Sequence, residues 1–204
     1  MSAVNQALRR IPVWAVYLFG AIPAPWLLYR ALTGGLGVEP ISALEHKLGE
    51  LALQLLVLGL AVTPLRQYLG LNLLKFRRAI GVLAFSYVTL HLLVWLFLDV
   101  QVLGQIWADI LKRPYITVGM AGFLLLVPLA VTSNNWSVRR LGPRWRKLHV
   151  LVYPAVLLGG LHYVMLAKGF QPEPLIYLSV ISGLLLLRLP LSSLMTRSRR
   201  IDSA

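Results

Sequence analysis

The chain has 204 residues, 58% of them hydrophobic and 13% charged, with a formal net charge of +13 and a mean hydropathy of +0.73. Soluble domains of this size do not have such a composition, and it defines an integral membrane protein. No cysteine occurs, which excludes disulfides, iron–sulfur clusters and every thiolate ligand, so any metal or cofactor must be held by His, Met, Tyr or carboxylate.

A hydrocarbon core of about 30 Å takes about 20 helical residues. Six apolar runs near that length follow one another at 11–29, 48–65, 79–98, 116–131, 148–167 and 174–190. They predict an all-α bundle of six transmembrane helices, one domain over residues 1–204. The first run follows Arg9 and Arg10 as a signal sequence would. It exceeds a signal core of about 7 to 15 residues and lacks a small-x-small cleavage site, so it reads as retained. LTGGLGVEP, ahead of the second run, is an outer loop by its Gly and Pro content. SALE at Ser42 to Glu45 has the capping-box form and predicts a helix start near Ala43, and VTPLR, with Pro64 and Arg66, predicts the end of that helix. KRPYITVG at 112–119 starts the fourth helix, with Tyr115 placed as an interfacial anchor. TSNNW at 132–136 ends it.

Charge alternates with the spans. Fifteen of the 20 basic residues, from Arg9 and Arg10 through Arg66, Lys75, Arg77, Arg78 and the cluster around Arg144 to Arg188 and Arg200, fall on one side. Only Arg30, Lys47, Lys112, Arg113 and Lys168 fall on the other, together with six of the seven acids. The positive-inside rule then predicts that both termini are cytoplasmic, as are the loops after the second and fourth spans. The basic excess is spent on topology and anionic membrane lipid rather than on nucleic acid. Neither GxGxxG nor GxxxxGK[ST] occurs, so no nucleotide-binding segment is expected.

All four histidines, His46, His91, His149 and His162, lie in or at the edges of apolar runs. An ionisable side chain within a membrane usually faces the bundle interior and marks function, although one alone can serve as an interhelical hydrogen bonder. The third and fifth spans run in the same direction. His91 lies 13 residues past Arg78 and His162 lies 15 past Lys147, about 20 and 22 Å along their helices at 1.5 Å per residue. The two imidazoles therefore share a level in the outer half. Two histidines at one depth suit axial ligation of a flat macrocycle, a b-type haem standing between helices, whereas zinc takes three or four ligands at one point. His149 sits about 20 Å below His162 on the same helix, a spacing suited to a second, inner site. On an ideal helix its side chain points about 140° away from that of His162. A kink or π-bulge at Pro154 is expected to supply part of the correction. The level of His149 on the third span is occupied by Arg77 and Arg78. As permanent cations they cannot be ordinary iron ligands, and they suit propionates or another anionic group. His46, near the outer mouth, reads as an interfacial hydrogen bonder, with a ligand or partner-docking role as the alternative.

LAVTPLR, LLKFRRAIGVLAF, TLHLL, KRPYITVGM, PLAVTS, LGPRWRKLHVLVY and GLHY, in this order over nearly the whole chain, resemble the methionine-sulfoxide reductase haem-binding subunits of the ferric-reductase-like transmembrane family. The resemblance implies a six-helix b-type cytochrome of the bacterial inner membrane. It would pass electrons from quinol or a cytoplasmic flavin reductase to a periplasmic molybdenum-containing catalytic subunit that repairs methionine sulfoxide in oxidised proteins. It implies haem b, one or two per chain, and FMN. His91, His149 and His162 match the family's haem histidines. The larger group carries a second inner histidine on the third span, where this chain has Arg77 and Arg78. The resemblance implies an electron-transfer subunit that performs no bond chemistry on the final substrate. A cytochrome b serving another dehydrogenase, a ferric reductase, a small transporter and an assembly factor remain open on the residues alone.

Overall fold

Proline and glycine punctuate a chain that is otherwise apolar enough to be helical throughout. In this computed structural model, residues 2–167 and 169–188 are described. Lys168, the last two residues of the sixth predicted run and the arginines beyond it lie outside the described residues. The helices are α1 (Ser2–Arg10), α2 (Val13–Ala21), α3 (Pro23–Leu32), α4 (Pro40–Leu69), α5 (Arg77–Val94), α6 (Leu103–Lys112), α7 (Pro114–Val131), α8 (Asn135–Leu141), α9 (Pro143–Leu148), α10 (Val152–Leu166) and α11 (Pro172–Leu186). No strand occurs among the described residues. Pro occupies the first turn of α3, α4, α7, α9 and α11, where its missing N–H would have no helical partner anyway.

Among the described residues five segments are long and apolar enough to cross a membrane: Val13–Leu32, Pro40–Leu69, Leu74–Val100, Pro114–Val131 and Pro143–Leu166. The sixth predicted span corresponds to α11, which is apolar but has only 15 residues. The first span is two helices, broken at Ile22 ahead of Pro23.

Two boundaries differ from expectation for local reasons. SALE does not cap α4. Pro40 starts that helix a turn earlier, behind Glu39, and Ser42, now inside it, lies beside His46 at 3.4 Å from Nδ1. Nor does α4 stop at VTPLR, for it runs through Pro64 to Leu69 and ends on Gly70 at φ 65°. A proline inside a helix leaves the carbonyl four residues back without its N–H, here that of Leu60. Arg188, two residues past the end of α11, donates to that carbonyl through one nitrogen and to the Tyr153 hydroxyl of α10 through another, at 2.8 Å. The break is thus repaired from 128 residues away.

Packing follows the rule for bundles in lipid, where small residues bring backbones together. The central core joins Leu53, Leu56 and Leu60 of α4 to Ala84 of α5, Leu126 and Leu129 of α7, Ala155 and Val156 of α10 and Ile181 of α11. Buried Gly160 lets α10 meet α11 so closely that an added Cβ would stand 2.8 Å from Ile181 Cδ1. At one end α1 is strapped to the α4–α5 connection. Asn5 donates to the Gly70 carbonyl at 2.8 Å and accepts from Asn72 N–H at 2.9 Å, while Lys75 donates to the carbonyls of Arg9 and Ile11, both at 2.7 Å. The N-terminus and the 70–76 connection therefore share a side.

Candidate functional site

Four helices, α4, α5, α7 and α10, enclose a chamber of about 280 Å³ whose walls carry both His91 and His162. Neither ring hangs free. His91, near the end of α5, donates its Nδ1–H to the Glu45 carbonyl of α4 at 2.9 Å. His162, in α10, donates its Nδ1–H to the Tyr115 carbonyl of α7 at 2.7 Å. A carbonyl can only accept, so each bond fixes the tautomer with Nδ1 protonated and leaves a lone pair on Nε2.

The ring centroids lie 6.3 Å apart with planes crossed at 77°. A metal between two imidazoles places each nitrogen about 2 Å from the ion and each ring centre about 1 Å farther out, roughly 6 Å in all. The pair therefore has the separation that two imidazoles sharing one metal would take. Among the described residues no group of three or more His, Asp or Glu side chains is placed to hold an ion alone.

The chamber is apolar in depth, with Leu53, Leu56 and Leu126, and polar at its rim, with Glu45, His46, Asp99, Arg113 and Tyr115. A π-helical turn at Trp95–Val100 continues α5 and brings Trp95 and Asp99 to the same chamber as His91. Such wide turns recur at functional sites. Arg113 is held by Asp109 at 3.3 Å and by the Tyr115 hydroxyl at 3.2 Å. Asp109 is buried in α6, a helix that the apolar runs did not predict. His46 is exposed at the mouth, its Nδ1–H bonded back to the Ser42 carbonyl at 2.7 Å.

The remaining candidates lie elsewhere. His149 does not line the chamber. It opens a 3-10 turn at His149–Leu151, stacks on Trp145 with centroids 3.8 Å apart and donates Nδ1–H to the Trp145 carbonyl at 3.1 Å. Its Nε2 is buried without a hydrogen-bond partner. Pro154 lies within the regular helix α10, so in place of the kink or π-bulge expected there the chain has this 3-10 turn on the N-terminal side of the proline, and His149 faces Trp145 rather than the chamber. Arg77 and Arg78 are exposed at the start of α5, Arg78 bonded to Asn135 of α8 at 2.7 Å, and neither reaches the chamber. The carbonyl partners of the two rings went unread in the sequence. Their one local signal is a glycine four residues after each, Gly49 after Glu45 and Gly119 after Tyr115.

Fold and site together define a class: a helical membrane protein built around a chamber with paired imidazoles. The family described as ferric reductase like transmembrane component matches residues 48–160. The heme-binding subunit MsrQ of protein-methionine-sulfoxide reductase from Agrobacterium fabrum is 50% identical over 200 residues, 98% of this chain and 93% of its own. The subunits of the same name from Brucella anthropi and Brucella ovis are each 47% identical, over 87% and 91% of this chain and 81% and 84% of theirs. No solved structure matches the chain. The chain belongs to the MsrQ family of protein-methionine-sulfoxide reductase heme-binding subunits, within the ferric-reductase-like transmembrane proteins.

Proposed function

We propose that this chain is the haem-carrying membrane subunit of a methionine-sulfoxide reductase, in which His91 and His162 are the residues that would hold one haem b between them. The observation that carries this reading is the crossed ring pair at 6.3 Å, each ring tethered through Nδ1 so that Nε2 is free to ligate. When bound, haem supplies a one-electron couple that the protein tunes through ligation and burial. The chain contributes the rest. The carbonyls of Glu45 and Tyr115 hold the imidazoles in orientation and raise their basicity. The leucines in the depth of the chamber exclude water, and Arg113 at the rim is the cation best placed to meet a propionate.

Electrons enter on this reading from quinol or a cytoplasmic flavin reductase and leave on the outer side to a molybdenum-containing catalytic partner in the periplasm. The chain is then a multi-pass protein of the bacterial inner membrane with both termini in the cytoplasm. His149 is the candidate for an inner redox site, because its Nε2 is buried and unpartnered. Arg77 and Arg78 are the cations there for an anionic group such as the phosphate of FMN.

Haem absorption of the purified protein tests the central claim. His91→Ala and His162→Ala are each expected to abolish the low-spin bis-imidazole spectrum, and retention of that spectrum in both would overturn it. Haem quantification in His149→Ala tests the inner site, where an unchanged content and spectrum would leave His149 structural.

A further inference from the structure

The two halves of the chamber repeat one device. Each imidazole donates to a carbonyl on a neighbouring helix, and four residues past that carbonyl, where the helix's own N–H points at the same oxygen, stands a glycine. A Cβ at Gly49 would lie 3.1 Å from His91 Nδ1 and 3.3 Å from its Cε1. A Cβ at Gly119 would lie 2.8 Å from His162 Nδ1 and 3.0 Å from its Cε1. The rings occupy the place of the missing methyl groups, and that lets Nδ1 reach an oxygen already engaged by the backbone. A carbonyl has two lone pairs and accepts both donors.

We propose that Gly49 and Gly119 are positioning residues that seat the two imidazoles against α4 and α7 and hold their planes crossed. This rests on the reading of His91 and His162 as haem ligands. A free histidine can swing its ring away from a new methyl group, so Gly→Ala is tolerated by the fold. Two rings tied to one metal cannot both swing, because ligation fixes Nε2 while the methyl displaces Nδ1. The consequence falls on ligation geometry. Gly119 is the more sensitive of the two, since its contact is the closer.

Electron paramagnetic resonance of the oxidised, haem-loaded protein reads this directly, because crossed imidazole planes give a strongly anisotropic large-g signal that moves as the planes rotate. Gly119→Ala is expected to shift that signal and to lower haem retained per chain, and Gly49→Ala to do both to a smaller degree. Gly81→Ala serves as the control, on the same helix as His91 and with nothing within 4 Å of the added Cβ. It is expected to match wild type. Should Gly119→Ala fail to insert, the milder Gly49→Ala carries the test. Wild-type signal and haem content in the glycine variants overturn the inference while the ligand reading stands. A bis-imidazole spectrum surviving in both His91→Ala and His162→Ala overturns the ligand reading, and the inference with it.

Discussion

Arg188 shows how a single residue makes an irregular helix tolerable. Pro64 orphans the Leu60 carbonyl, and in lipid an unsatisfied carbonyl has no water to turn to. The guanidinium of Arg188 satisfies it while packing on Tyr153, 5.1 Å from the ring centroid. Arg188→Met should therefore destabilise the protein by about 1–3 kcal/mol, the cost of leaving a buried polar group unpaired. In a Pro64→Ala background residue 64 regains its N–H and can bond Leu60 itself, so the same Arg188→Met change should cost clearly less. Thermal unfolding in detergent of the four proteins of this cycle checks the prediction, and equal costs in both backgrounds would refute the link between Pro64 and Arg188.

At the scale of elements, the contact of α10 with α11 depends on Gly160. Gly160→Ala places a methyl 2.8 Å from Ile181 Cδ1 in a fully buried seam, and overpacking of this kind costs about 1–3 kcal/mol. Ile181→Val removes that Cδ1 atom, and the double variant should recover most of the lost stability in the same unfolding assay.

Which elements were legible follows from the range of the forces that form them. Apolar runs are local and long, so the helical membrane class could be read from the sequence. The shared level of His91 and His162 could be counted from Arg78 and Lys147 because helical rise is uniform. The end of α4 could not be read, because Arg188, which satisfies the Leu60 carbonyl that Pro64 orphans, lies 128 residues from Leu60. The start of α4 was misplaced because Pro40 outcompetes Ser42 as a place to begin. Helix α6 escaped because it is short and its apolar residues, Leu103, Ile106, Trp107, Ile110 and Leu111, are interrupted by Gly104, Gln105 and Asp109 and form no continuous run of spanning length. The environment of His149 hinged on a 3-10 turn that changes phase without a local sequence signal.

For the whole molecule, charge and contact agree on sidedness. The strap from Asn5 and Lys75 holds the N-terminus on the side of the 70–76 connection, the side that carries the basic excess. Alkaline phosphatase fused at either terminus should be inactive, and fusions after Gly37 or Phe170 should be active. The reverse pattern would invert the proposed orientation.

The paired construction of the chamber also orders its making. His91 and its carbonyl belong to the hairpin of α4 and α5, which is complete by residue 94, whereas His162 and its carbonyl belong to α7 and α10, complete only at residue 166. A ribosome delivers the first hairpin whole while the second is unmade, so a nascent chain displays one seated imidazole with no counterpart. The two-sided site comes into being late in synthesis, when the second hairpin closes on the first. Interruption of translation anywhere in the 101–113 connection leaves a half-chamber, and two separately expressed halves that meet in the membrane carry between them every residue of the pair.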